Sequence, residues 1–175
     1  PWSSLAQHLG VVDQVSGLLV AARTPDGDLP ERLLTACRAV DTHLAVLTGL
    51  PRPERQVELR DGVLGEILTA ATASFEVVVD VGAELGDHRS HRTGSPVPST
   101  ALEALGVADE IVVVGAADPV GLARLARSLV DLREHVDQVP IRVVVNRMRP
   151  SLGWSRADVA GMVDGFARVA SLHFL

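Results

Sequence analysis

FEVVVDVGAELG, residues 75–86, runs from an aromatic and three consecutive valines into Asp80 and then Gly82. Consecutive valines put apolar side chains on both faces of an extended chain. Strands buried on both faces read this way, and they belong to parallel sheets covered by helices. Two later stretches repeat the pattern: EIVVVG at 110–115 and IRVVVN at 141–146. Amphipathic helical patterns separate them. In residues 61–73, Val63, Leu64, Ile67, Leu68 and Ala71 share one face. Asp118 and Pro119 open a long helix to about Val136, with Leu122, Leu125, Ala126, Leu129 and Val136 on one stripe. Ser155 opens another, with Val159, Met162, Val163 and Phe166 inward. Strand and helix in alternation predict one α/β domain over residues 1–175, with a doubly wound, mostly parallel sheet flanked by helices.

Outside this core the pattern is less regular. The first third reads as short helices: Ser3 or Ser4 caps one ending near Gly10, Asp13 caps DQVSGLLVAAR, and Asp28 with Pro30 opens one through Ala39. HLAVLTG, 43–49, reads as a short strand stopped by PRP. Residues 100–107 read as a helix with Thr100 and Glu103 spaced as a capping box, and SLHFL reads as a last strand. Residues 83–99 form the one long irregular segment and hold His88, Arg89, His91 and Arg92. A His-x-x-His pair in a loop without a third fixed ligand is a poor metal site, and a surface loop is the better reading.

Composition narrows the chemistry. All 16 basic residues are arginine, so every role that requires a lysine is missing, including a phosphate-loop lysine, a Schiff base and the lysine of a receiver domain. A net charge of −6 argues against a broad grip on nucleic acid. Cys37 is the single cysteine, which excludes a disulfide framework and points to a reducing, cytoplasmic setting and a buried inert thiol. No apolar run is long enough to span a bilayer, and no signal-peptide pattern appears.

Ligands of open α/β sheets sit beyond the carboxyl ends of the strands. Here those ends offer Asp80 with Gly82, Gly115 with Asp118, and Asn146 with Arg147. Asp80 reads either as a carboxylate facing a phosphate-bound metal or as a strand cap making an Asx turn. Asn146 reads either as a carboxamide pairing with a base or as a strand cap. Arg147 reads as flanking a base or as a surface arginine. Asp118 with Pro119 is a helix start, and Trp154 reads equally as an exposed contact or as core.

Taken in order, these segments resemble the MinD/ParA group of deviant-Walker P-loop ATPases, in its actinobacterial MinD-like or CpaE-like branch. FEVVVDVG is similar to that family's switch II strand. ALEALGVADEIVVVGAADPVGLARLARSLVDL is similar to its next helix, strand and helix, and PIRVVVNRMRP to its nucleotide-base strand. LAQHLGVVDQVSGLLVAAR with HLAVLTGLPRP resembles the region after the family's D-x-D-P signature, which would place Pro1 just behind it. The resemblance implies a P-loop NTPase-like fold that is incomplete at its N-terminus: a segment of a longer protein, lacking the phosphate loop. It implies an ATPase, if that loop exists in the intact protein, that binds Mg-ATP and forms a homodimer. Such a dimer positions septum, pole or pilus machinery through a membrane-associated or pilus or septum protein partner, at the periphery of the membrane. Asp80 would act on magnesium through water, Gly82 would let the switch approach the γ-phosphate, and Asn146 and Arg147 would contact the base. The alternative is a non-catalytic scaffold of the same fold with no working nucleotide site.

Overall fold

The computed structural model describes residues 5–11, 15–23, 29–82, 88–89, 96–97 and 100–175. Its contacts group into two compact units, Pro1–Val107 and Ala108–Leu175. The whole is mixed α/β.

The first unit is mainly helical: α1 (Leu5–His8), α2 (Gly17–Arg23), α3 (Leu29–Ala36), α4 (Val63–Thr72) and α5 (Thr100–Gly106). Leu18, Ala21, Leu33, Ala36, Ile67 and Ala104 pack α2–α5 around one cluster. The cap that starts α2 is Ser16, whose hydroxyl accepts from Leu19 N–H at 3.2 Å. Asp13, the cap expected from sequence, lies outside the described residues, as do Ser3, Ser4 and Asp28. Thr48 fastens the same turn: Gly17 N–H donates to its Oγ1 at 2.7 Å and Leu18 N–H to its carbonyl at 2.9 Å. A side chain at Gly17 would meet the Ala36 carbonyl oxygen at 2.7 Å, so only glycine fits there.

Four sequence expectations need correction in this unit. The helix expected through Ala39 stops at Ala36. Asp41 accepts from His43 N–H and Leu44 N–H and turns the chain into a hairpin, in which β1 (Arg38–Ala39) pairs antiparallel with β2 (Ala45–Val46). The strand expected at 43–49 is reduced to that β2 pair. Glu103 does not close a capping box on α5; its two carboxylate oxygens accept from Gly62 N–H and Leu64 N–H, both at 3.1 Å, and cap α4 instead. Two orphan donors at a helix start attract the carboxylate more strongly than one on its own helix.

The largest correction concerns 75–80. Among the described residues this stretch joins no strand ladder. It leaves α4 through a Phe75 N–H bond to the Ala71 carbonyl, and Val77 and Val81 pack against the helical cluster. Val78 points outward and is 89% exposed. A valine run favours an extended backbone, but a parallel ladder also needs a neighbouring strand edge, and among the described residues none is paired to it. In the segment that follows, β3 (His88–Arg89) pairs antiparallel with β4 (Pro96–Val97); His91 and Arg92 lie outside the described residues.

The second unit follows the sequence reading closely. β5 (Ile111–Ala116), β6 (Ile141–Asn146) and β7 (Ser171–Phe174) form a parallel sheet in that order. α6 (Pro119–His135) and α7 (Arg156–Phe166) make the crossovers. Sequential parallel neighbours joined by right-handed crossovers carry both helices on one face. Burial agrees: Ile111, Ile141, Val143 and Val145 are buried with Leu125, Leu129, Leu132, Val159 and Val163. The other face carries Val112 and Val114, 55% and 66% exposed, and exposed Arg142. Phe166, expected inward, is 37% exposed, because α7 ends there and Ala167 takes the buried position.

Candidate functional site

Two tight turns meet at the carboxyl edge of this sheet. The first leaves β5 through Ala116, Ala117 and Asp118. Asp118 caps α6, accepting from Gly121 N–H at 2.9 Å, and Pro119 occupies the first helical turn where no N–H is needed. The turn is close: a side chain at Gly121 would come within 2.4 Å of the Ala116 carbonyl oxygen. The second turn leaves β6 through Asn146 and Arg147. Ala117 N–H donates to the Asn146 carbonyl at 2.8 Å and ties the two turns together.

Asn146 and Arg147 are exposed, and the Asn146 side-chain oxygen accepts from Arg147 N–H at 2.7 Å. That bond helps hold Arg147 at φ 63, a left-handed backbone that a non-glycine side chain seldom takes. It is the one such non-glycine residue among those described. Strain of this kind costs about 1–3 kcal/mol and concentrates at functional sites. The chain then passes a short 3-10 turn, Pro150–Leu152, and Gly153 at φ 81 to reach Trp154. The indole N–H of Trp154 donates to the Ala117 carbonyl at 3.0 Å. Trp154 is therefore a half-buried bracket between the turns.

Ser155 and Asp158 form a reciprocal capping box at the start of α7. The Ser155 N–H and hydroxyl, bonded to the Asp158 carboxylate, hold its pKa below the ordinary value. Beside it, Pro119, Leu122, Trp154, Val159 and Met162 line an apolar hollow of about 340 Å³ between the starts of α6 and α7. The helix-start spacing Ser-x-x-Asp at 155–158 would have revealed the capping box; the hollow was hidden because its apolar residues read as ordinary core.

Asp80 and Gly82 belong to the first unit, whereas Asn146 and Arg147 belong to the second. Asp80 Oδ1 accepts from Gly82 N–H at 3.0 Å, an Asx turn, and Gly82 sits at φ 75, where glycine alone is comfortable. Among the described residues no three His, Cys, Asp or Glu side chains gather to hold a metal ion. A metal at Asp80 would therefore rest on water and ligand oxygens, which magnesium accepts. Cys37 is half-buried, and burial pushes its thiol up, against the smaller opposing pull of Arg38, so it is a poor nucleophile. Among the described residues no helix is long and apolar enough to cross a membrane. Comparison with protein-family models, curated proteins and solved structures finds no match to this chain.

Proposed function

We propose that the chain is a segment of a MinD/ParA-type ATPase, doubly wound in the intact protein, that binds Mg-ATP, forms a homodimer and positions septum, pole or pilus machinery at the membrane periphery. The observation that carries this reading is the Asn146–Arg147 pair. It lies at the carboxyl end of the middle strand of a parallel sheet, with Arg147 held at φ 63. Open α/β sheets bind their ligands beyond the carboxyl ends of the strands, and the pair stands at that end of β6. There the exposed Asn146 carboxamide offers the paired donor and acceptor that an adenine edge needs. The Arg147 guanidinium stacks on or flanks the base. Asp80 would hold magnesium through water, and Gly82, whose N–H donates to Asp80, would let the switch backbone approach the γ-phosphate. When bound, magnesium neutralises the phosphate charge in transfer. With no lysine in the chain, arginine side chains and backbone N–H groups are the positive partners that it offers to phosphates.

A second reading, a non-catalytic scaffold of the same fold, is favoured by one observation. Asp80 closes a stretch that joins no strand ladder among the described residues. NMR titration of the intact protein with Mg-ATP and Mg-GTP separates the two. The ATPase reading expects saturable shifts at Arg147 and at the Trp154 indole N–H with Mg-ATP, weaker ones with Mg-GTP, and their loss in Asn146→Ala. No shifts, or equal shifts with both nucleotides, would leave the scaffold.

A further inference from the structure

β6 alternates as a strand should: Ile141, Val143 and Val145 are buried, whereas Arg142 and Asn146 are exposed. A period of two would put Arg147 on the buried side, yet it is exposed. The hydrogen bonds give the reason. Leu175 N–H donates to the Val145 carbonyl, and the Leu175 carbonyl accepts from Met148 N–H, both at 3.0 Å. Evenly spaced parallel bonding would use Arg147 N–H for the second bond. One residue too many therefore stands between the two bonds, which makes a β-bulge. Arg147 N–H goes to its neighbour instead: the Asn146 side-chain oxygen accepts it at 2.7 Å, and Arg147 turns to φ 63. The far side of Asn146 is pinned, because its carbonyl accepts from Ala117 N–H. Among the described residues the turned-out Arg147 guanidinium has no ion pair or hydrogen bond.

We propose that Asn146 is a positioning residue for Arg147. Its side-chain oxygen replaces the Leu175 carbonyl as the acceptor of Arg147 N–H and holds the bulge. The bulge swings the guanidinium off the helix-covered side to stand beside the carboxamide at the carboxyl edge. Bulges re-aim side chains in this way next to binding sites. Glycine would make the same turn at no steric cost. Arginine at φ 63 keeps backbone strain in place for the sake of its side chain. The purpose of that side chain rests on the nucleotide reading above: it flanks a base that the carboxamide meets at its edge. The carboxamide serves both tasks, since its oxygen has a second lone pair and its NH2 two donors.

The test is NMR of the intact protein without nucleotide, reading the strong amide–Hα NOE within Arg147 that marks a positive φ. Asn146→Leu keeps the size and removes the acceptor; the Arg147 signature should be lost. Asn146→Asp keeps an acceptor oxygen and should retain it. Arg147→Gly should raise the denaturation midpoint, because glycine is at ease in that turn, and should weaken Mg-ATP binding at least tenfold. A signature that survives Asn146→Leu, or that disappears in Asn146→Asp, overturns the positioning role. An Arg147→Gly variant that binds Mg-ATP as tightly as the parent overturns the contact. If the parent itself binds no Mg-ATP, the nucleotide reading fails, and the Arg147 signature in the two Asn146 variants still decides the positioning role.

Discussion

Residues 75–80 and 141–146 are close to the same word, FEVVVD and IRVVVN, and the molecule uses them in opposite ways. Val143 and Val145 are fully buried, and their strand is paired on both sides, with β5 and with β7. Val78 is 89% exposed in a stretch that joins no strand ladder among the described residues. A valine run sets the backbone extended, because branched side chains favour that region. Whether the run becomes a strand depends on what flanks it. IRVVVN lies between two helices with strong starts, Asp118–Pro119 and the Ser155–Asp158 box, each of which returns the chain to the sheet edge. FEVVVD leaves α4 directly, and its Val77 packs against the helical cluster.

The largest effect that tests this contrast is an aspartate placed in each run. Val143→Asp buries an unpaired carboxylate and is expected to cost on the order of 4 kcal/mol or more. Val78→Asp should stay within about 0.5 kcal/mol, as surface changes do. Chemical denaturation of the two variants reads the difference directly, and equal losses would break the contrast. Next comes Gly121→Val, where the new side chain meets the Ala116 carbonyl. A loss of roughly 3 kcal/mol is expected, if the tight β5–α6 turn is what holds the sheet edge in place. On the other side of the comparison, Glu103→Ala removes the acceptor for Gly62 N–H and Leu64 N–H. A loss of about 1 kcal/mol is expected, confined to the helical unit and seen as faster hydrogen exchange in α4.

The smallest effect is a pH dependence. Asp158 has a folded pKa below its unfolded value, because Ser155 hydrogen-bonds its ionised form. Its contribution is therefore present above the unfolded pKa of about 3.9 and fades as pH falls through the lower folded value. Asp158→Ala should be less stable than the parent chain at neutral pH, with the gap closing in acid. Thermal melts at several pH values check this, and a gap that widens in acid would contradict it.

The strands at 110–115 and 141–146, the last strand, the Asp118 and Ser155 caps and the long stripe of α6 were legible because each rests on local rules: spacing, capping chemistry and helix period. What was not legible depends on distant partners. Thr48 reaches back to Gly17, Glu103 reaches to α4, and Trp154 reaches Ala117. None of these bonds leaves a mark at fixed spacing. FEVVVD was misread for the same reason: strand pairing is a property of two segments, and the sequence of one segment does not contain it. At the candidate site, Asn146 and Arg147 were visible as the end of a strand. The left-handed backbone of Arg147 was not, since it arises from the turn and the Asn146 side-chain bond together.

Amide hydrogen exchange of the intact protein, with and without Mg-ATP, tests the central claim most directly. Without nucleotide, Val143–Val145 should exchange slowly and Val77–Val79 rapidly. Mg-ATP should then add protection at the two turns of the carboxyl edge, 117–121 and 146–154. If both valine runs exchange alike, and Mg-ATP changes neither turn, the division between them is wrong and the sheet edge is not a nucleotide site.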